Sequence, residues 1–196
     1  ASASARRLRN LCLQRLARLE PDGERAFTQF QQSGTLTDRL AALATLVHCG
    51  LPQAPTALRD FAQRHRDDAL TTDKWLGLVA TIPRAGTVET VATLLDGRYW
   101  QPTNPNRVRA VLGSFARANP LAFHRADGAG YALLFRQMPL LDATNPQVAA
   151  RHLGILENWR RLDPARRARI AEGFHALEAQ LASRDSREVL ARLLDG

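Results

Sequence analysis

The polar residues best suited to binding lie in two short segments that each begin with asparagine and proline. In the segment that begins at Asn145, the amide of Gln147 is followed four residues later by the guanidinium of Arg151. Four residues advance an α-helix by about 400°, so these two side chains are neighbours on one helix face. An amide beside a guanidinium can bind a carboxylate or a peptide group. A solvated helix face without a ligand is the alternative that the sequence leaves open.

The second segment begins at Asn104 and places Arg107 and Arg109 on either side of an apolar residue. Asparagine followed by proline is typical of a helix start, so both cations lie near the positive end of the helix dipole. Cations are unfavourable there unless an anion is close. The pattern therefore indicates an acidic partner for this segment.

Catalytic and metal-binding patterns are missing from the sequence. The five histidines include no HExxH pair, and the two cysteines, Cys12 and Cys49, form no CxxC. Neither a nucleophile elbow nor a phosphate-binding glycine loop occurs. Cys12 and His152 lie on apolar stripes and are predicted to be buried in the core. We therefore predict no catalytic residue, no metal ligand and no cofactor in this chain.

The positive charge of the chain suggests a second possible function. Of the 27 basic residues only Lys74 is a lysine, and the formal net charge is +8. A dense cluster at Arg160, Arg161, Arg166, Arg167 and Arg169 could contact phosphates. The arginines are nevertheless spread along the chain, as a GC-rich coding sequence alone would produce. A basic helical-repeat scaffold that binds nucleic acid or protein is the alternative function, and nucleic acid is the less favoured partner.

Helices must position all of these residues. Alanine and leucine dominate the 196 residues, whereas the β-branched Val and Ile are scarce. Apolar residues recur at spacings of three and four, for example at Leu8, Leu11, Cys12, Leu16 and Leu19, and again from Val148 to Leu162. Both stripes are expected to be buried faces of single helices. The sequence predicts an all-α superhelix, similar to an α-solenoid, of about ten antiparallel paired helices in one domain, 1–196. No apolar run approaches ~18 residues, so we expect a soluble, cytoplasmic protein.

Several segments, in order along the chain, resemble the C-terminal helical domain of bacterial aminopeptidase N, a zinc metallopeptidase family of the gluzincin class. The resemblance covers residues 6 to about 165. The segments that carry it are Arg7-Leu8-Arg9-Asn10, Asp73-Lys74-Trp75, Asn104-Pro105-Asn106-Arg107-Val108-Arg109, Ala118-Asn119-Pro120, Asp127-Gly128-Ala129-Gly130-Tyr131 and Asn145-Pro146-Gln147-Val148-Ala149 with Arg151.

The resemblance implies a non-catalytic domain that packs over a zinc-bearing catalytic domain and encloses its active-site chamber. It implies that Gln147 and Arg151 face the cleft and contact peptide substrate, with Arg109 a further candidate for the same chamber. The zinc, the catalytic groups and the amino-terminal specificity would belong to other domains of the same polypeptide. This chain alone would then be inactive, and no membrane partner is expected.

Overall fold

Asparagine or aspartate before proline begins four of the described helices, a pattern that is typical of helix starts. In the computed structural model, which describes residues 2–195, the side chain of Asn104 accepts hydrogen bonds from the backbone N–H groups of Asn106 and Arg107. Asn119, Asn145 and Asp163 cap the other three in the same way. Each cap satisfies amide donors that the first helical turn leaves without a partner.

The residues that the structure describes are helical and include no β-strand, so the predicted all-α class is confirmed. They divide into two compact units, one up to Leu78 and one from Val79 onward, with the boundary inside a helix. None of the described helices is both long enough and apolar enough to cross a membrane.

The first unit is built around its third helix. Its helices are α1 (Ala3–Leu16), α2 (Glu24–Gln32), α3 (Leu36–His48), α4 (Ala54–Arg64) and most of α5 (Ala69–Ala80). Helices α1, α2 and α4 each pack against α3. Asp38 of α3 accepts a hydrogen bond from Asn10 of α1 at 2.9 Å and pairs with Arg9 at 2.6 Å, which ties the first helix to this core.

The second unit is built around a long helix. After the end of α5 it contains α6 (Thr87–Asp96), α7 (Pro105–Val108), α8 (Ser114–Ala118), α9 (Pro120–Phe123), α10 (Ala129–Thr144), α11 (Pro146–Leu153), α12 (Pro164–Glu178) and α13 (Arg184–Asp195). Helix α10 packs against α6, α9, α11 and α12. Its buried side chains, among them Tyr131, Leu134 and Met138, form the core with Phe123 and Phe174.

Helices α7 and α8 form one continuous helix, because a π turn at Arg109–Gly113 joins them. A π turn contains one more residue than an α turn and is frequent at functional sites. The sequence predicts a helix that begins after Asn104, but nothing in it indicates the wider turn.

Two of the expected apolar stripes differ from the structure. Leu8 and Leu11 on α1 are 62% and 48% exposed, Leu19 in the turn after α1 is 79% exposed, and Cys12 is exposed as well. The prediction of a buried first stripe was therefore wrong. The predicted helix from Val148 to Leu162 ends at Leu153, and two short 3₁₀ turns follow it. Periodicity alone cannot tell a face that packs within the chain from one that stays uncovered.

Candidate functional site

Gln147 and Arg151 are both exposed on α11, on the same face, as the helical spacing predicted. The Asn145 cap sets the direction of this helix, and the core residues Ala149 and Leu153 hold its opposite face. Gly154 follows on the exposed side with no heavy atom within 4 Å of where a β-carbon would lie. The result is an open polar wall on this side of α11.

Arg107 and Arg109 differ in burial, a difference that the sequence does not show. Arg107 is buried, and its guanidinium donates a hydrogen bond to the backbone carbonyl of Tyr99 at 2.7 Å. Arg109 is exposed at the first position of the π turn. Of this pair only Arg109 is exposed, and its role as a site residue stays a prediction.

The π turn lies directly against α11. A β-carbon built on Gly113 would be 3.6 Å from the Cγ of Arg109 and 3.3 Å from the Nε2 of His152. The absence of a side chain at Gly113 therefore lets the two helices approach closely, with Arg109 next to the contact. The structure thus brings the Asn104 segment and the Asn145 segment together, which no spacing in the sequence could show.

His152 is the buried centre of this contact, as predicted for a core histidine. Its Nδ1 donates a hydrogen bond to the carbonyl of Val148 at 2.7 Å, and the residue is 5% exposed. Burial lowers the pKa of His152; the bond to Val148 opposes this, and the nearby cations Arg117 and Arg151 lower the pKa further. The imidazole is therefore neutral at pH 7 and does not offset the positive charge around it.

Arg117 is a member of this site that the sequence patterns did not single out. It is exposed on α8, and its Nη2 donates a hydrogen bond to the backbone carbonyl of Arg151 at 3.4 Å. In a regular α-helix two residues eight positions apart, such as Arg109 and Arg117, differ by about 80° around the axis. The π turn rotates less per residue and brings the two closer to one face. Only a search for wider turns could have found this residue.

Two of the five arginines in the cluster near α12 are engaged within the protein. Arg160 donates hydrogen bonds to the carbonyls of Leu193 and Leu194 at 2.7 and 2.5 Å, and it stacks on Trp159 at 4.5 Å from the ring centre. Arg166 donates to the carbonyl of His124 and pairs with Asp163. These two guanidinium groups bind carbonyl and carboxylate oxygens at helix ends, so they are not part of a free cationic surface.

Zinc does not fit the residues that the structure describes. No group of three or more His, Cys, Asp or Glu side chains within residues 2–195 is arranged to hold a metal ion. Since structural and catalytic zinc sites take three or four such ligands, this stretch of the chain offers none of the required donor sets.

Helices packed around a core within each unit, with an open polar wall on α11, define an all-helical class of domain. Residues 1–195 match the family described as "Domain of unknown function (DUF3458_C) ARM repeats", and the chain belongs to that family. The description of ARM repeats, which stack helices into superhelices, agrees with the predicted solenoid-like class.

Relatives of the chain are aminopeptidases, which confirms the resemblance inferred from the sequence. Aminopeptidase N of Escherichia coli is 37% identical over 175 residues, which are 88% of this chain and 20% of that protein. Aminopeptidase N of Haemophilus influenzae is 35% identical over 170 residues, 87% of this chain and again 20% of the relative. The chain thus spans about a fifth of the length of these relatives.

A solved structure supports the same relationship. Legionella pneumophila aminopeptidase A, determined in complex with aspartic acid, superposes with a TM-score of 0.88 at 28% identity. The match covers 97% of this chain and 23% of that one.

Proposed function

We propose that this chain is a non-catalytic domain of a zinc-dependent aminopeptidase, where it encloses the active-site chamber and contacts the peptide substrate. The observation that carries the proposal is the exposed pair Gln147 and Arg151 on α11. The same helix contacts, through His152, the Gly113 end of the π turn that carries Arg109. The aminopeptidase relatives, which are about five times longer than the chain, support a parent enzyme of this class.

In this role the chain binds and orients but does not react. The Gln147 amide both donates and accepts hydrogen bonds, so it suits a peptide group. The Arg151 guanidinium provides a fixed fork of donors for a carbonyl or carboxylate oxygen. The walls around them would exclude water from the cleft. The zinc, the attacking water and the recognition of the free amino group belong to the rest of the parent polypeptide, in a cytoplasmic enzyme.

The test uses the intact enzyme that contains this domain. Changing Arg151→Ala removes one charge-assisted hydrogen bond, worth ~1.5–3 kcal/mol, so kcat/KM for peptides should fall roughly 10- to 100-fold. Gln147→Ala should cost about fivefold. Arg167→Ala is the matched control, since Arg167 is an exposed arginine on α12, and its kinetics should equal those of the unchanged enzyme.

Two results would contradict the proposal. One is unchanged kinetics of the Arg151→Ala enzyme across peptides of several lengths, with an unchanged melting temperature. The other is turnover of an aminoacyl chromogenic substrate by the 196-residue chain itself, in a sample whose zinc content has been measured. The proposal expects neither turnover nor stoichiometric zinc in that sample.

A further inference from the structure

We propose that Arg117 joins Arg109 and Arg151 in a site of three guanidinium groups that binds a carboxylate of the peptide, and that Arg117 makes the enzyme prefer peptides with that charge. This inference rests on the proposed function and specifies the class of substrate. The carboxylate can be an acidic side chain downstream of the first peptide bond or the free carboxyl terminus of a short peptide.

Geometry brings the three arginines to one place in the second unit. Arg109 begins the π turn and lies beside Gly113, which touches His152 of α11. Arg151 is the neighbour of His152 on α11, and Arg117 reaches across from α8 to the Arg151 carbonyl. All three are exposed, so their guanidinium groups are accessible from solvent.

Charge is the second argument. The ion pairs formed within residues 2–195 engage other arginines, such as Arg9, Arg125 and Arg166, but none of these three. The buried His152, whose pKa is lowered by burial and by Arg117 and Arg151, is neutral at pH 7 and adds no charge to theirs. Like charges held close together repel, and the repulsion is relieved when an anion binds.

The chemistry of the site favours a carboxylate as that anion. Guanidinium groups bind the two oxygens of a carboxylate through parallel hydrogen bonds. The Gln147 amide on the same wall suits the peptide backbone that would carry this carboxylate. The hydrogen bond to the Arg151 carbonyl uses one nitrogen of Arg117 and leaves its other donors for a ligand.

The test compares matched peptides in the intact enzyme. One pair is Ala-Ala-Ala as the free acid and as the carboxyl-terminal amide; the other is Ala-Asp-Ala amide and Ala-Asn-Ala amide. The first pair reports on the terminal carboxylate and the second on a side-chain carboxylate. For the Arg117→Gln enzyme, the ratio of kcat/KM between the charged and neutral members of at least one pair should fall about five- to tenfold.

Controls separate a specific contact from a general loss of charge. Arg167→Gln removes the same charge from an exposed position on α12 and should leave both ratios unchanged. In the unchanged enzyme, raising the salt concentration should reduce the preference for the charged peptides, because the site is exposed. The melting temperatures of both variants should match that of the parent enzyme.

The possible failures are distinguishable. If Arg151→Ala still alters peptide kinetics while Arg117→Gln leaves both ratios unchanged, the inference about Arg117 is wrong and the proposed function stands. A uniform loss on charged and neutral peptides alike would also overturn it, since that indicates positioning rather than charge recognition. If neither variant changes any rate, the proposed function itself fails.

Discussion

At the scale of single residues, one buried carboxylate organises the start of the last helix. Asp142 of α10 is 4% exposed and accepts hydrogen bonds from the backbone N–H groups of Ala182 and Ser183 at 2.8 and 3.0 Å, and from the Ser183 hydroxyl. That hydroxyl in turn accepts from the Ser186 N–H, which is the cap of α13. The carboxylate thus joins two helices through backbone groups that would otherwise be unsatisfied.

We expect Asp142→Asn to lower the free energy of unfolding by about 2 kcal/mol at pH 7, because it weakens charge-assisted bonds to buried donors. The measurement is urea unfolding followed by circular dichroism. Asp195→Asn, at an exposed position, is the control and should leave the urea midpoint nearly unchanged. Equal midpoints for the two variants would contradict this role of Asp142.

The same residue predicts how stability depends on pH. Burial raises the pKa of Asp142, but the hydrogen bonds from Ser183 and Ala182 outweigh it and hold the pKa below its ordinary value. A group with a lowered folded-state pKa stabilises the protein fully above its unfolded pKa of about 3.9, and this stabilisation is lost as pH falls through the folded value. Stability should therefore decline below about pH 4, and less steeply in the Asp142→Asn chain.

At the scale of helices, contact between α9 and α10 requires a glycine. A β-carbon on Gly130 would lie 2.2 Å from the carbonyl oxygen of Phe123, and the other close atoms also belong to the Phe123 backbone. Backbone cannot move aside as a flexible side chain can. Helix propensity alone would favour alanine by up to about 1 kcal/mol, but here the steric clash is the larger effect.

Gly130→Ala should destabilise the chain by about 1–3 kcal/mol, which corresponds to several degrees in melting temperature for a protein of this size. Gly154→Ala is the matched control, because no atom within 4 Å would meet the new methyl group and its φ is −59°. That variant should be unchanged or more stable by up to about 1 kcal/mol. A Gly130→Ala chain as stable as the parent would show that the two helices can separate there.

Short patterns in the sequence were sufficient to predict where several helices begin. The caps at Asn104, Asn145 and Asp163 are where proline and a short polar residue predict them, because capping depends only on adjacent atoms. The π turn was not predicted, and the bond from Arg117 to the Arg151 carbonyl could not be, since it joins two helices that are far apart in the sequence.

For the whole molecule, the exposed leucines on and just after α1 are the feature that we expect to govern self-association. Leu8, Leu11 and Leu19 occupy one side of the first helix and its end, where apolar surface meets solvent. The prediction that this stripe is buried was wrong, because burial requires a partner surface as well as a periodic pattern. Contiguous exposed apolar surface promotes association.

The 196-residue chain should therefore self-associate as its concentration rises. Leu8→Gln combined with Leu19→Gln should shift association to higher concentration, measured by sedimentation velocity, without lowering the melting temperature. Leu70→Gln combined with Leu121→Gln is the control, because those leucines are exposed but lie far from α1 in sequence. Identical sedimentation of the two double variants would rule out the α1 face as the cause.

The π turn also means that its helix can lose one residue and remain continuous. Deleting one residue between Arg109 and Gly113 would convert the wide turn into an ordinary one without interrupting the hydrogen-bonded backbone. Because the π turn holds one residue more than an ordinary turn, side chains before and after the deletion would keep nearly the same orientation relative to one another. A single codon lost at this point would therefore shorten the helix while Arg109 and Arg117 stayed close to one face.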